Sequence, residues 1–100
     1  MIRVLYKQPG RMVRTMLIQN DLKRLQALVG GYIEACSIFK DVVMIVNEEG
    51  KLKKMEPNFL YGFDMIVGPA IFCRSDRDKL ASLTEDQMEA IKIFLKEGEV

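Results

Sequence analysis

The first twenty positions carry the apolar pattern of two paired β-strands. Ile2, Val4 and Tyr6 fall on one face of an extended segment, which stops at a Pro-Gly turn signal at 9–10. Residues 11–19 are again rich in β-branched and long apolar side chains. The pattern predicts a β-hairpin, and it favours solvated basic side chains on that hairpin over a phosphate-binding patch.

Residues 20–34, NDLKRLQALVGGYIE, organise the rest of the chain. Asn20 and Asp21 are both good N-caps, and the leucines that follow recur on one face at helical spacing. Gly30 and Gly31 can adopt the positive φ that ends a helix. A phosphate held by the glycine amides is the alternative, but a helix C-cap is favoured because the pair lacks a strand before it and a helix after it.

Two further strands are predicted at 32–39 and 42–46, joined by a short polar turn. The second, VVMIV, is continuously apolar, which predicts burial on both faces and a central place in the sheet. Residues 47–50, NEEG, close this strand with a turn, and 51–53 suggest a short continuation beyond it. Polar groups that leave a central strand are also well placed to bind ligand hydroxyls.

The middle of the chain is less regular. After a break at 56–58, residues 59–63 form a predicted aromatic-rich loop, for which a lid over the core is favoured over stacking on a base or a partner. Residues 64–74 predict an apolar strand that a Gly-Pro pair at 68–69 interrupts. A charged connector is expected at 75–79.

The last helix opens with a capping box, in which the Thr84 hydroxyl and the Gln87 amide satisfy free backbone groups reciprocally. It is expected to run to about Lys96, stopped by Gly98. The segments together predict a single domain, residues 1–100, of the α+β class. Its expected architecture is an antiparallel or mixed sheet of about five strands with two helices, one after Asn20 and one after Thr84.

Composition and charge exclude several functional classes. Fifteen basic and fourteen acidic residues leave a net charge of +1, so nucleic acid and anionic membrane are not expected partners. The chain has no histidine, and Cys36 and Cys73 lie in apolar runs, which argues against imidazole metal sites and Cys-His catalysis. We therefore expect reduced structural cysteines, no metal or cofactor and no enzymatic activity. No apolar run reaches membrane-span length, which predicts a cytoplasmic protein.

The ordered set NDL..LQ..VGGYIE, NEEGKL, PN, D.IVG.A.F and SLTEDQ resembles a family of small domains of unknown function encoded by phages, plasmids and other bacterial mobile elements. The resemblance covers nearly the whole chain, and the combination of VGGYIE with NEEGKL is fairly specific. It implies a compact domain, encoded alone or beside mobile-element genes, with no assigned activity. Small phage proteins without catalytic residues often act by occupancy, which suggests a role against host defence.

The first functional hypothesis is therefore a non-catalytic protein of the host-cell cytoplasm that sequesters a small nucleotide-derived immune signal. Such a ligand needs cations or amides for phosphates, an aromatic ring for the base and polar groups for ribose. Because a 100-residue domain has little interior for a pocket, we expect the site at an interface of a homo-oligomer. The candidates are Arg11, Arg14, Gly30 and Gly31 for phosphate, Tyr32 or Tyr61 for the base, and Asn47, Glu48 and Asn58 for ribose.

Two alternatives stay open. The chain could instead inhibit a host protein directly, through an exposed sheet edge or the aromatic segment 59–63. The other alternative is a metal-dependent hydrolase that uses Glu48, Asp64 and Asp76. It is the least favoured, because scattered carboxylates are expected on any solvated surface and their spacing resembles no metal loop.

Overall fold

The structure, a computed structural model, describes residues 1–98. Within this range the chain forms eight strands and two helices. Their order is β1 (Ile2–Lys7), β2 (Arg14–Ile18), α1 (Leu22–Val29), β3 (Ile33–Phe39), β4 (Val42–Asn47), β5 (Pro57–Tyr61), β6 (Asp64–Val67), β7 (Ala70–Asp76), β8 (Lys79–Ala81) and α2 (Glu85–Glu97).

Six strands form one antiparallel sheet with the order β2-β1-β7-β4-β3, and β8 pairs with the far end of β7. Strands β5 and β6 form a separate hairpin. The predicted α+β class is confirmed. Strand β4 is largely buried and has a neighbour on each side, as its apolar run predicted. The central strand of the order is β7, whose first four residues are all fully buried.

The sheet separates two apolar cores. One face is covered by α1, whose Leu25 and Val29 pack on strand residues that include Val4 and Ile71. The other face is covered by α2 together with the β5–β6 hairpin, so the molecule has three layers. The α2-side core is built from Leu5, Val42, Met44, Val46, Phe59, Ile66, Ala70, Phe72, Leu83, Ile91 and Leu95.

Both helices begin at their predicted caps. The Asp21 carboxylate accepts a hydrogen bond from Arg24 N at 2.8 Å, whereas the Asn20 amide donates to Leu80 O and is not the cap. Thr84 and Gln87 form the reciprocal capping box, with both hydrogen bonds near 3 Å. Hydrogen bonds between residues three apart set the first residue of each helix. The starts of both helices could therefore be recognised in the sequence.

Several predicted segments need correction. Strand β2 begins at Arg14 rather than at 11, and residues 51–53 form local turns instead of a strand, with Lys53 N donating to Glu49 O and Met55 N to Gly50 O. The predicted charged connector at 75–79 is wrong, because β7 continues to Asp76 and pairs there with β8.

The aromatic segment 59–63 is also not a loop. It forms most of β5 and the turn that follows, because alternate side chains of this segment find core positions: Phe59 is fully buried while Leu60 faces outward. The Gly-Pro pair at 68–69 does interrupt its strand, and it does so completely, since β6 and β7 belong to different sheets. Among the described residues, no helix is long and apolar enough to span a membrane.

Candidate functional site

The structure does not bring the sequence-predicted site residues into one place. Five of them, Gly30, Gly31, Tyr32, Asn47 and Glu48, lie together where α1 ends and β4 leaves the sheet. Arg11 and Asn58 lie in a separate cleft beside α2. Arg14 and Tyr61 lie in two further positions, against different aromatic partners.

The glycine amides and the Asn47 side chain of the first cluster already have partners within the fold. The N–H groups of Gly30 and Gly31 both donate to Gln26 O, so they close the helix. The Asn47 side chain donates to Val29 O and accepts from Glu49 N, and a Cβ at Gly31 would lie 2.9 Å from its amide nitrogen. Asn47 therefore tethers the end of α1 to β4, and Gly31 leaves room for it.

Tyr32 and Glu48 are the exposed members of this cluster. The Tyr32 side chain is 65% exposed, and its carbonyl accepts from Glu48 N at 2.8 Å. Glu48 borders a small cavity of about 380 Å³ whose rim carries the exposed ion pair of Lys51 with Asp64. Exposed ion pairs of this kind contribute little to stability or binding.

Arg14 and Tyr61 each pack against an aromatic ring. The Arg14 guanidinium lies 5.7 Å from the ring centre of Tyr6, on the α1 side of the sheet. Tyr61 meets Phe94 of α2 edge to face, with ring centres 5.7 Å apart. Tyr61 is therefore half-buried and part of the packing on the α2 side, away from the other candidate residues.

The larger concave surface lies between the β1–β2 loop, the start of β5 and the end of α2, and we call it the α2 cleft. Its volume is about 890 Å³. Its wall combines charged side chains with prolines and apolar groups: Lys7, Pro9, Gly10, Arg11, Met12, Val13, Glu56, Pro57, Asn58, Phe59, Lys92, Leu95 and Lys96.

The α2 cleft is strongly basic although the chain as a whole is nearly neutral. Four cationic side chains line it, and the carboxylate of Glu56 is the one acidic group among the residues that form its wall. Lys92 and Lys96 are four residues apart on α2, so they project from the same side of the helix. Clustered cations with few acids produce a local positive potential that attracts anions.

Asn58 holds one of these cations in place. Lys7 Nζ donates to Asn58 Oδ1 and to Gln8 O, both at 2.8 Å, and the Asn58 amide donates in return to Lys7 O and Gly68 O. Asn58 is 4% exposed, which is too little for direct contact with a ribose. Its role in the structure is to fix β1, β5 and the 68–70 segment to one another around the lysine.

Three of the four cations of this cleft were not singled out as site residues from the sequence. Lys7 alternates with apolar residues as an ordinary strand residue does, and the i, i+4 pair of Lys92 and Lys96 also suits the negative end of a helix dipole. Only that lysine spacing, together with Arg11 in a turn, was available as a signal. Among residues 1–98, no group of three or more possible metal ligands lies together.

Comparison with known proteins gives a family and no activity. One family model, described as Domain of unknown function (DUF3846), matches residues 2–96. No curated protein and no solved structure matches the chain.

Proposed function

The chain belongs to the DUF3846 family of domains of unknown function, and we propose that it binds a small nucleotide-derived anion in the α2 cleft without transforming it. The observation that carries this proposal is that three exposed cations, Arg11, Lys92 and Lys96, line one cleft. Clustered cations produce a local positive potential even in a chain of net charge +1, so this cleft suits an anionic ligand.

The cations suit phosphate groups in different ways. Arg11 offers a planar guanidinium that can donate two parallel hydrogen bonds to one phosphate, whereas lysine acts as a point charge. Lys7 is largely buried and its ammonium already donates to Asn58 and Gln8, so it adds positive charge to the wall of the cleft and is not proposed as a direct contact. Lys92 and Lys96 are exposed lining residues of the cleft, so both ammonium groups are accessible to a phosphate.

The size and the apolar wall of the cleft suit a nucleotide better than a bare phosphate ion. Small-molecule sites in proteins have volumes of about 300–1,000 Å³, and the α2 cleft, at about 890 Å³, lies within that range. Pro9, Met12 and Pro57 supply an apolar surface for a base. Of the residues expected on sequence grounds, Arg11 stays in the proposed site, and Asn58 supports it by holding Lys7. The proposed site lies within one chain and not at an interface between subunits.

In the biological role that we propose, the protein acts by binding its ligand and needs no chemical reaction. The resemblance of the motifs to a mobile-element family supports a protein that removes a nucleotide signal of host defence by binding it. A chain without histidine fits a binder better than a hydrolase. The expected phenotype is loss of signalling in host cells that express the protein.

Calorimetric titration with a matched pair of charge-reversal variants tests the site. The probes are a cyclic dinucleotide, ATP and ADP-ribose, with inorganic phosphate as the minimal anion. We expect Lys92→Glu/Lys96→Glu to weaken binding of the active probe at least about tenfold, because each lost charged hydrogen bond is worth about 1.5–3 kcal/mol. The control, Lys23→Glu/Lys40→Glu, reverses the same charge at exposed positions outside the cleft and should bind as wild type does.

The first cluster, at the end of α1, is the alternative binding site that the experiment must distinguish from the α2 cleft. If the ligand binds in the α2 cleft, Tyr32→Ala leaves the Kd unchanged, because Tyr32 is not part of the cleft wall. Weakened binding in Tyr32→Ala, together with normal binding in Lys92→Glu/Lys96→Glu, would move the site to the end of α1. Equal affinities in the lysine variants and their control would overturn the cleft assignment.

One observation favours direct inhibition of a host protein as a second candidate function. Phe63 stands fully exposed at the tip of the β5–β6 hairpin, next to Gly62, whose φ is +62°. Aromatic residues such as an exposed phenylalanine at a hairpin tip are enriched in protein interfaces. In this case Phe63→Ser abolishes capture of one host protein, whereas Lys92→Glu/Lys96→Glu retains it.

A further inference from the structure

Strand β3 forms an open edge of the main sheet. It pairs with β4 on one side, and within residues 1–98 no other strand pairs with its second side. At seven residues it is as long as the central strand β7. Its outer side therefore presents a row of backbone donors and acceptors to solvent.

This edge carries little of the protection that edge strands usually have, because its one bulge lies at its far end, between Ser37 and Phe39. Proteins discourage strand addition with lysines, prolines, bulges or very short edges. In β3, IEACSIF, Glu34 is the one charged residue and there is no proline. The opposite edge, β2, is shorter and begins with Arg14, and β8 has only three residues.

The register of β3 shows which backbone groups face outward. Tyr32 O accepts from Glu48 N, and Ile33 is the Cα partner of Asn47. Because the direction of hydrogen bonding alternates along an antiparallel strand, Glu34 and Cys36 bond to β4, and the N–H and C=O groups of Ile33, Ala35 and Ser37 point away from it. A bulge follows Ser37, so the regular edge ends there.

We propose that β3 pairs with β3 of a second copy of this chain, antiparallel and about a two-fold axis at Ala35. The regular edge runs from Ile33 to Ser37, and Ala35 is its centre. Ala35 then exchanges two hydrogen bonds with Ala35 of the second copy, and Ile33 does the same with Ser37 of that copy. The result is one continuous sheet that spans the dimer.

The side chains of β3 fit its own copy. Glu34 falls opposite Cys36 of the second copy, so no carboxylate faces another. Ala35 and Ser37 are small and exposed, so they allow the two strands to approach closely. Half-buried Ile33, on the α1 side, and Cys36, on the α2 side, both gain cover from the added strand.

The proposed dimer leaves the ligand site free. The α2 cleft is built on the end of β1 and the β1–β2 loop, and β2 and β1 lie at the end of the sheet opposite β3. The dimer therefore presents two separate clefts, and its existence does not depend on the ligand. This arrangement differs from a ligand site shared between subunits.

Light scattering on the purified protein tests the interface. We expect wild type at twice the 11.5 kDa mass of one chain. Ala35→Lys should be monomeric, because two ammonium groups would meet at the axis, whereas Thr15→Lys, the same change on an exposed residue of the other edge, should remain dimeric. A monomeric wild type, or an Ala35→Lys variant as dimeric as wild type, would overturn the proposal.

Cross-linking reports the register without destabilising the pair. In a Cys36→Ser background, Ala35→Cys should form an interchain disulfide on oxidation with diamide, because Cα atoms about 5.5 Å apart allow one. Thr15→Cys in the same background should not. Cross-linking of both variants to the same extent would mean random collision, and cross-linking of neither would exclude an axis at Ala35.

Discussion

At the residue scale, Asn58 shows how one buried amide supports both fold and site. Each of its polar atoms has a partner, and those partners belong to β1 and to the segment after β6. From the sequence, Asn58 is an asparagine in a turn and a candidate for ribose. Its partners Lys7 and Gly68 are 51 and 10 residues away, so only the folded chain reveals its role.

Replacing Asn58 should destabilise the protein strongly. Asn58→Ala leaves the carbonyls of Lys7 and Gly68 without their donor and removes an acceptor from Lys7, at about 1–3 kcal/mol for each unsatisfied buried group. We expect the free energy of unfolding in urea to fall by about 2–4 kcal/mol. Asn20→Ala, which removes one exposed hydrogen bond, is the control and should cost less than about 1 kcal/mol. Equal losses would contradict this role.

Two buried acids make stability fall at high pH. Burial raises the pKa of the Cys73 thiol from 9.0 to about 12, and burial also raises the pKa of Tyr6, against the opposing effect of Arg14 and Arg24. Above pH 9 the unfolded chain loses the Cys73 proton while the folded chain keeps it, so unfolding becomes easier as the pH rises. The decline begins near pH 9 and is complete near the folded pKa.

This decline can be assigned to Cys73 by mutation. For wild type the free energy of unfolding should fall between about pH 9 and 10, with a slope that approaches 1.4 kcal/mol per pH unit. Cys73→Ala lowers stability near neutral pH but removes the contribution of the thiol, so its decline should start at a higher pH than in wild type, with Tyr6 as the remaining buried acid. Parallel curves for wild type and Cys73→Ala in urea denaturation would contradict the assignment.

At the element scale, the parts that could be predicted are those that short-range chemistry determines. The caps of α1 and α2, the Gly30 stop and the apolar β4 run are all read within a few residues. The starts and ends of β2, β5 and β8 were missed because tertiary pairing decides them. Residues 59–61 become a strand because Phe59 finds a place beside Phe72 and Phe94.

The capping box of α2 tests whether short-range hydrogen bonding determines the start of a helix. Thr84→Ala removes the hydrogen bond from Gln87 N to the threonine hydroxyl and should lower the free energy of unfolding by about 1 kcal/mol. Thr84→Ser keeps a hydroxyl in the same position and should stay within a few tenths of a kcal/mol of wild type. Chemical denaturation monitored by circular dichroism measures both. A Thr84→Ser variant as unstable as Thr84→Ala would show that the methyl group, not the cap, matters.

At the scale of the whole molecule, the α2 cleft and the β3 edge lie at opposite ends of the main sheet. Its β2–β1 end carries the basic cleft, and its β3 end carries an open edge. Neither feature could be located from the sequence, since the cleft joins Lys7, Arg11 and Lys96 from distant segments and the edge is defined only by strand order. The expected nucleotide ligand rests on the family resemblance, and it stays a prediction that the α2 cleft allows to be tested.

Native mass spectrometry is the direct test for a nucleotide bound in the α2 cleft. The protein is purified from bacterial cells with an active nucleotide-signalling defence system, in parallel with Lys92→Glu/Lys96→Glu and Lys23→Glu/Lys40→Glu. We expect an added mass of nucleotide size on wild type and on the Lys23→Glu/Lys40→Glu control, and its loss from the cleft variant. No added mass on wild type, or the same added mass on all three proteins, would contradict a nucleotide site in the α2 cleft.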